Sequence, residues 1–108
     1  MTAYLIAICR SVSDRGRLED YWANVAPSFE GHDAQPLVAY APFEVLEGDD
    51  DAKGVVLCEF PSMDAAKHWY FSEAYQEVKQ RRLGAADFEL ILVDGGWRPA
   101  AERMPDTR

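Results

Sequence analysis

The spacing of apolar positions changes along the chain, and each change marks an element. "AYLIAIC" (3–9) is a nearly continuous apolar run. It predicts a central strand covered on both faces. In "SVSDRGRLEDYWANVAPSFEGH" (11–32), Leu18, Tyr21, Trp22, Val25 and Phe29 recur at three- and four-residue steps. That is one face of a helix, with Ser13 or Asp14 as N-cap and Gly31 as its stop. Pro27 removes a helical hydrogen bond, so a kink or a tightened last turn is expected there. "PLVAYAPFEVLEG" (36–48) is β-rich but interrupted by Pro42, which predicts a bent or edge strand. The glycine-bounded acidic "GDDDAKG" (48–54) reads as a hairpin linker, and "VVLCEF" (55–60) as the strand beyond it. Within that strand Val55, Leu57 and Glu59 point one way while Val56, Cys58 and Phe60 point the other.

Two short helices and a strand complete the chain. Ser62, with Asp64 in the first turn, caps one helix, whose Met63, Ala66 and Tyr70 share a stripe beside Ala65 and Trp69. Ser72 restarts a second, in which Tyr75, Val78 and Arg82 share a face and Gly84 ends the run. "FELILVDGG" (88–96) is the last strand. The order is β-α-β-β-α-β with a split second helix, the ferredoxin-like α+β arrangement with a four-stranded antiparallel sheet. Helices on one face leave the other bare, although the strands are apolar on both. A lone copy would expose more apolar surface than monomers usually tolerate. The expectation is therefore a homodimer packed through the open sheet faces, a dimeric α+β barrel. The expected domain spans residues 1–96. The polar tail 97–108 should fray unless held, and Trp97 is expected to dock on the partner subunit.

Length and composition narrow the function classes. The 108 residues suffice for one core without a metal or disulfide. Eleven basic against nineteen acidic residues give a net charge of −8, which argues against nucleic acid or an anionic membrane as partner. Cys9 and Cys58 sit inside apolar runs and read as buried thiols of a reducing compartment. The N-terminal apolar run is too short for a signal sequence and no run approaches a membrane span, so a cytoplasmic location is expected.

The residues Glu59, Phe60, Pro61, Ser62, Ala65, Ala66, Trp69, Tyr70, Ser72, Tyr75, Gln76 and Arg82, supported by "FEVLEG" (43–48), resemble the bacterial domain-of-unknown-function 1330 family. The resemblance spans about residues 3 to 95. It implies a dimeric α+β barrel and no established reaction. Family members commonly carry a His-Gly-Gly-Arg run before the second strand and an Arg-Gly-Gly run within it. Here "HDAQPLVAYAP" (32–42) keeps His32 and lacks the glycines and both arginines. This departure implies a cavity of different charge and shape, suited to a less anionic, more aromatic molecule.

Among residues able to carry chemistry, Glu59 faces an apolar layer. Such a carboxylate either pairs with a cation, Arg82 being the candidate, or has a raised pKa suited to proton transfer. His32 is expected at the mouth of a cavity between helices and sheet, as a proton-transfer group or a backbone-bonded loop residue. His68 is expected to face solvent. Trp22, Tyr40, Trp69, Tyr70 and Tyr75 either fill the core or line an apolar pocket; Tyr21 and Phe29 are assigned to packing. No metal-ligand spacing, calcium loop, phosphate loop or nucleophile elbow is found in the sequence, so neither metal nor nucleotide cofactor is expected. Two readings stay open. One is a cofactor-independent cyclase, isomerase or monooxygenase acting on an aromatic or polyketide-type metabolite, with His32, Glu59 and Arg82 as its chemistry. The other is a non-catalytic dimeric ligand-binding or stress-related protein.

Overall fold

In β1 (Ala3–Val12) Ala3, Leu5, Ala7 and Cys9 are buried, while Tyr4, Ile6, Ile8 and Arg10 between them are only partly covered. The period of two divides an apolar strand between two unequal faces. The computed structural model describes residues 2–49 and 51–103. After β1 come α1 (Arg15–Val25), a 3-10 turn (Ala26–Phe29), β2 (Gln35–Ala39), β3 (Gly54–Phe60), α2 (Met63–Tyr70), α3 (Glu73–Arg82) and β4 (Ala86–Asp94). The strands form one antiparallel sheet in the order β2-β3-β1-β4. This is the ferredoxin-like α+β fold expected from the element order.

The helices start where short polar side chains meet free backbone N–H groups. Asp14 accepts from the Arg17 amide at 3.1 Å, Ser62 from Ala65 at 3.0 Å and Ser72 from Tyr75 at 3.2 Å. Each cap is worth about 1 kcal/mol. Pro27 lies near the start of the 3-10 turn that prolongs α1, the tightened turn expected of it. Gly84, which follows α3, takes a φ of 82°, a left-handed conformation that suits glycine.

Register settles which face the helices cover. Leu5 stands opposite Cys58 and Leu92, and Ala7 opposite Val56 and Leu90. Leu5, Cys58 and Phe60 join Ala66, Trp69 and Tyr75 in the buried core, so this is the helix-covered side. On the other side Ile6 stands between Leu57 and Ile91, and Tyr4 between Glu59 and Val93. Ile91 and Val93 there remain 48% and 42% exposed.

Several boundaries differ from expectation; β1, expected over 3–9, runs on to Val12. The strand expected over 36–48 ends at Ala39, because Tyr40 takes a φ of 59° and turns the chain away. β2 is an edge strand, as a proline-bearing strand should be, but Pro42 lies beyond it in the connection to β3. The last strand begins at Ala86, two residues early. Of the tail, residues 104–108 lie outside the described residues, as does Asp50 of the acidic loop. Trp97 is 80% exposed, with Arg103 stacked 4.6 Å over its ring.

Candidate functional site

A row of small side chains crosses the sheet beneath α1 and α3. Ala39 stands opposite Val56, Val56 opposite Ala7, and Ala7 opposite Leu90. Small side chains on the sheet and large ones on the helices leave space between them. The result is an apolar cavity of about 400 Å³, in the usual range for small-molecule sites. Its floor is the sheet row with Leu5, Cys58 and Phe88. Its walls are Tyr21, Trp22, Val25 and Phe29 from α1 and the turn, Tyr40 from the end of β2, and Trp69, Tyr75 and Arg82 from α2 and α3.

The polar atoms of the walls are nearly all tied to protein partners. Trp22 Nε1 donates to Tyr40 Oη at 3.0 Å, and Trp69 Nε1 to Ser28 Oγ at 3.1 Å. The Tyr21 and Tyr75 hydroxyls lie 3.0 Å apart. Arg82 Nη2 donates to Tyr75 Oη at 3.2 Å, and its guanidinium rests between the rings of Tyr21 and Phe88 at 5.5 and 5.3 Å. Arg82 is 6% exposed and, among the described residues, is the sole charged side chain lining the cavity. Among the described residues it has no ion-pair partner, and its Nε is the buried side-chain polar atom left without a hydrogen bond. Burial pushes the Tyr21 phenol well above its ordinary pKa, with Tyr75 adding to the effect. Burial also raises Tyr40, against the pull of the Trp22 N–H. Both phenols therefore act as neutral hydrogen-bonding groups near pH 7.

Of the residues expected to bind a ligand, Trp22, Tyr40, Trp69 and Tyr75 line the cavity. Tyr70 does not. It borders a smaller hollow of about 240 Å³, which shares Leu5, Trp69 and Leu90 with the cavity. Of the three expected to carry chemistry, only Arg82 lies here. Glu59 shares the parity of Val55 and Leu57 as expected, but that parity belongs to the open face of the sheet. The sheet separates it from Arg82, so the expected Glu59–Arg82 pair does not form. His32 is half-buried and does not line the cavity; its ring lies 5.7 Å from that of the exposed His68. Its amide donates to the Phe29 carbonyl at 3.0 Å, which closes the turn after α1 and points the loop toward α2 instead.

Tyr21 and Phe29, assigned to packing, are part of the site. Phe29 stacks on Trp69 at 4.8 Å, and Tyr21 meets Tyr75 edge-on at 6.5 Å. A signal existed for Tyr21: it carries a hydroxyl in the middle of the α1 apolar stripe, where a buried Tyr O–H needs a partner.

The family model for the Domain of unknown function (DUF1330) matches residues 2–96. The chain belongs to the DUF1330 family. No curated protein matches it. Among solved structures, a protein of unknown function from Rhodopseudomonas palustris superposes on this DUF1330 chain with a TM-score of 0.71 at 19% identity, over 91% of this chain and 84% of that one. SnoaB, a cofactor-independent oxygenase from Streptomyces nogalater, gives 0.61 at 12% identity, over 90% and 95%. A dimeric ferredoxin-like protein of unknown function from Jannaschia sp. gives 0.64 at 12% identity, over 88% and 100%. All three share the ferredoxin-like fold with the DUF1330 chain. Among the described residues no helix is long and apolar enough to cross a membrane, and no cluster of three or more His, Cys, Asp or Glu is placed to hold a metal ion.

Proposed function

We propose that this protein binds a small aromatic or polyketide-type metabolite in the cavity between its helices and its sheet, and acts on it without a metal or nucleotide cofactor. The observation that carries the reading is the cavity itself: about 400 Å³, walled by Trp22, Tyr40, Trp69 and Tyr75, with polarity gathered around Arg82. Flat aromatic walls suit a planar ring system, and a volume of this size holds a bicyclic or tricyclic molecule. The fold shared with the oxygenase SnoaB supports the enzymatic side by analogy of architecture. Arg82 would stabilise negative charge that develops on a ring oxygen during isomerisation, cyclisation or oxygenation. With His32 and Glu59 outside the lining, Tyr21 and Tyr75 are the nearest groups able to relay a proton.

The working unit of this proposal is a homodimer joined through the open sheet face. The Leu57–Ile6–Ile91 row and the exposed Val93 form an apolar surface that a second copy would cover, and the Jannaschia relative of the fold is dimeric. Trp97 then packs on the partner.

The test is native mass spectrometry of the protein challenged with bicyclic and tricyclic phenols, quinones and aromatic acids, followed by soaked crystals of the hits. Bound molecules should lie between α1, α3 and the sheet, one per protomer. Hits lying only on the surface would refute the cavity reading. A second reading, a dimeric ligand-binding protein without catalysis, is favoured by one observation: among the described residues no carboxylate and no imidazole lines the cavity. Incubating a confirmed ligand with the protein in air separates the two. Ligand recovered unchanged means binding alone.

A further inference from the structure

We infer that the molecule bound in this cavity carries a single acidic oxygen, a carboxylate or an ionised phenol or enol, and docks it as an anion on Arg82. This deepens, and rests on, the reading of the cavity as a ligand chamber. Arg82 is 6% exposed, and a charge so removed from solvent loses hydration that only hydrogen bonds and counter-charge restore. Buried arginines therefore normally meet a carboxylate. Arg82 meets none among the described residues; its partners are the neutral phenols of Tyr75 and Tyr21 and the ring faces of Tyr21 and Phe88.

These contacts leave the Nε–H without an acceptor on a side chain that lines the cavity; the atom itself is shielded, so a ligand oxygen reaches it as the guanidinium turns. A neutral carbonyl could accept from Nε, but it would leave the buried charge uncompensated. An anionic oxygen answers both needs, with the shorter and stronger bond of a charge-assisted pair. The remaining lining supports one such group and no more. Every other charged residue among the described residues lies outside the cavity lining, and the Trp22 and Trp69 N–H groups already have acceptors. A multiply charged ligand would bury further anions against apolar walls. The substrate class that fits is thus a planar aromatic molecule with one acidic oxygen at its edge.

The experiment compares 2-naphthoate with its neutral amide, 2-naphthamide, by titration calorimetry at neutral pH. The Arg82 Nε–H proton is followed by NMR in the same samples. The expected result is at least a tenfold preference for the acid, together with a downfield shift of the Nε–H on adding acid and not amide. In Arg82→Met the preference should fall to within about threefold, through a larger loss of affinity for the acid than for the amide. Should that variant fail to fold, the Nε–H shift in the wild-type protein decides. Equal affinity for acid and amide overturns the inference and leaves the chamber standing. So does an acid preference that survives Arg82→Met, because the anion would then lie elsewhere. Binding of neither probe overturns the chamber reading itself.

Discussion

Gly54→Ala is the smallest change that reports on the cavity wall. Gly54 is buried at the start of β3, directly beneath the ring of Tyr40. A methyl group there would lie 2.6 Å from Tyr40 Cε1 and closer still to Cδ1, so the ring must leave. Alanine in a strand interior is otherwise better than glycine by about 0.5–1 kcal/mol. Against that gain stand the Trp22–Tyr40 hydrogen bond, about 1 kcal/mol, and the edge-on ring pair at 5.0 Å, about another 1 kcal/mol. Partial exposure of a half-buried phenol costs about 1 kcal/mol more. The net loss is about 2 kcal/mol, a drop of roughly 1–2 M in the urea midpoint for a chain of this size. In a Tyr40→Ala background nothing remains to collide, and the same substitution should be neutral or stabilising by about 0.5–1 kcal/mol. A double-mutant cycle should therefore give a coupling of about 3 kcal/mol. All four proteins must be titrated at one concentration, because the midpoint of the proposed dimer would move with concentration. An equal penalty in both backgrounds would refute the reasoning and put the cost of Gly54→Ala in the strand itself.

Ser28→Ala should lower stability by about 1–3 kcal/mol, by leaving the buried Trp69 indole N–H without its acceptor at 3.1 Å; urea denaturation followed by tryptophan fluorescence measures it. Ile91→Glu should convert the protein to monomer in sedimentation experiments while leaving the far-UV circular dichroism unchanged, since Ile91 is already half exposed on one chain. Stability should be at its full value below about pH 9 and fall above it. The buried Cys9 and Cys58 thiols, raised above their ordinary 9.0, and the Tyr21 and Tyr40 phenols, raised above 10.0, keep in the folded state protons that the unfolded chain releases there. The Tyr21 share of the slope is at most about 1.4 kcal/mol per pH unit, and Tyr21→Phe should remove that share in urea midpoints compared between about pH 9 and 11.

Local signals in this chain were strong where the physics is local. Ser62 and Ser72 cap their helices because a hydroxyl in that position satisfies a backbone donor whatever the tertiary structure does. The tightened turn at Pro27 follows from a missing N–H. The parity of β3 was equally legible, with Glu59 opposite in sense to Cys58. Which parity the helices would cover was not, because Val55 and Leu57 are as apolar as Val56 and Phe60. That ambiguity produced the expected Glu59–Arg82 pair, and the register with β1 removes it. His32 failed for a related reason: its direction depends on one backbone hydrogen bond to Phe29, which no spacing encodes. The end of β2 was hidden because Tyr40, a good strand former, takes a left-handed conformation that only its bond to Val55 and its seat on Gly54 make affordable.

The Ala39–Val56–Ala7–Leu90 row draws one residue from each of the four strands. Depth of the chamber can thus be altered by adding methylenes from below, while the helical side that carries Arg82 stays as it is. How long a molecule would fit and how the proposed anion would be held are encoded on different layers. Selection could retune one dimension without disturbing the other.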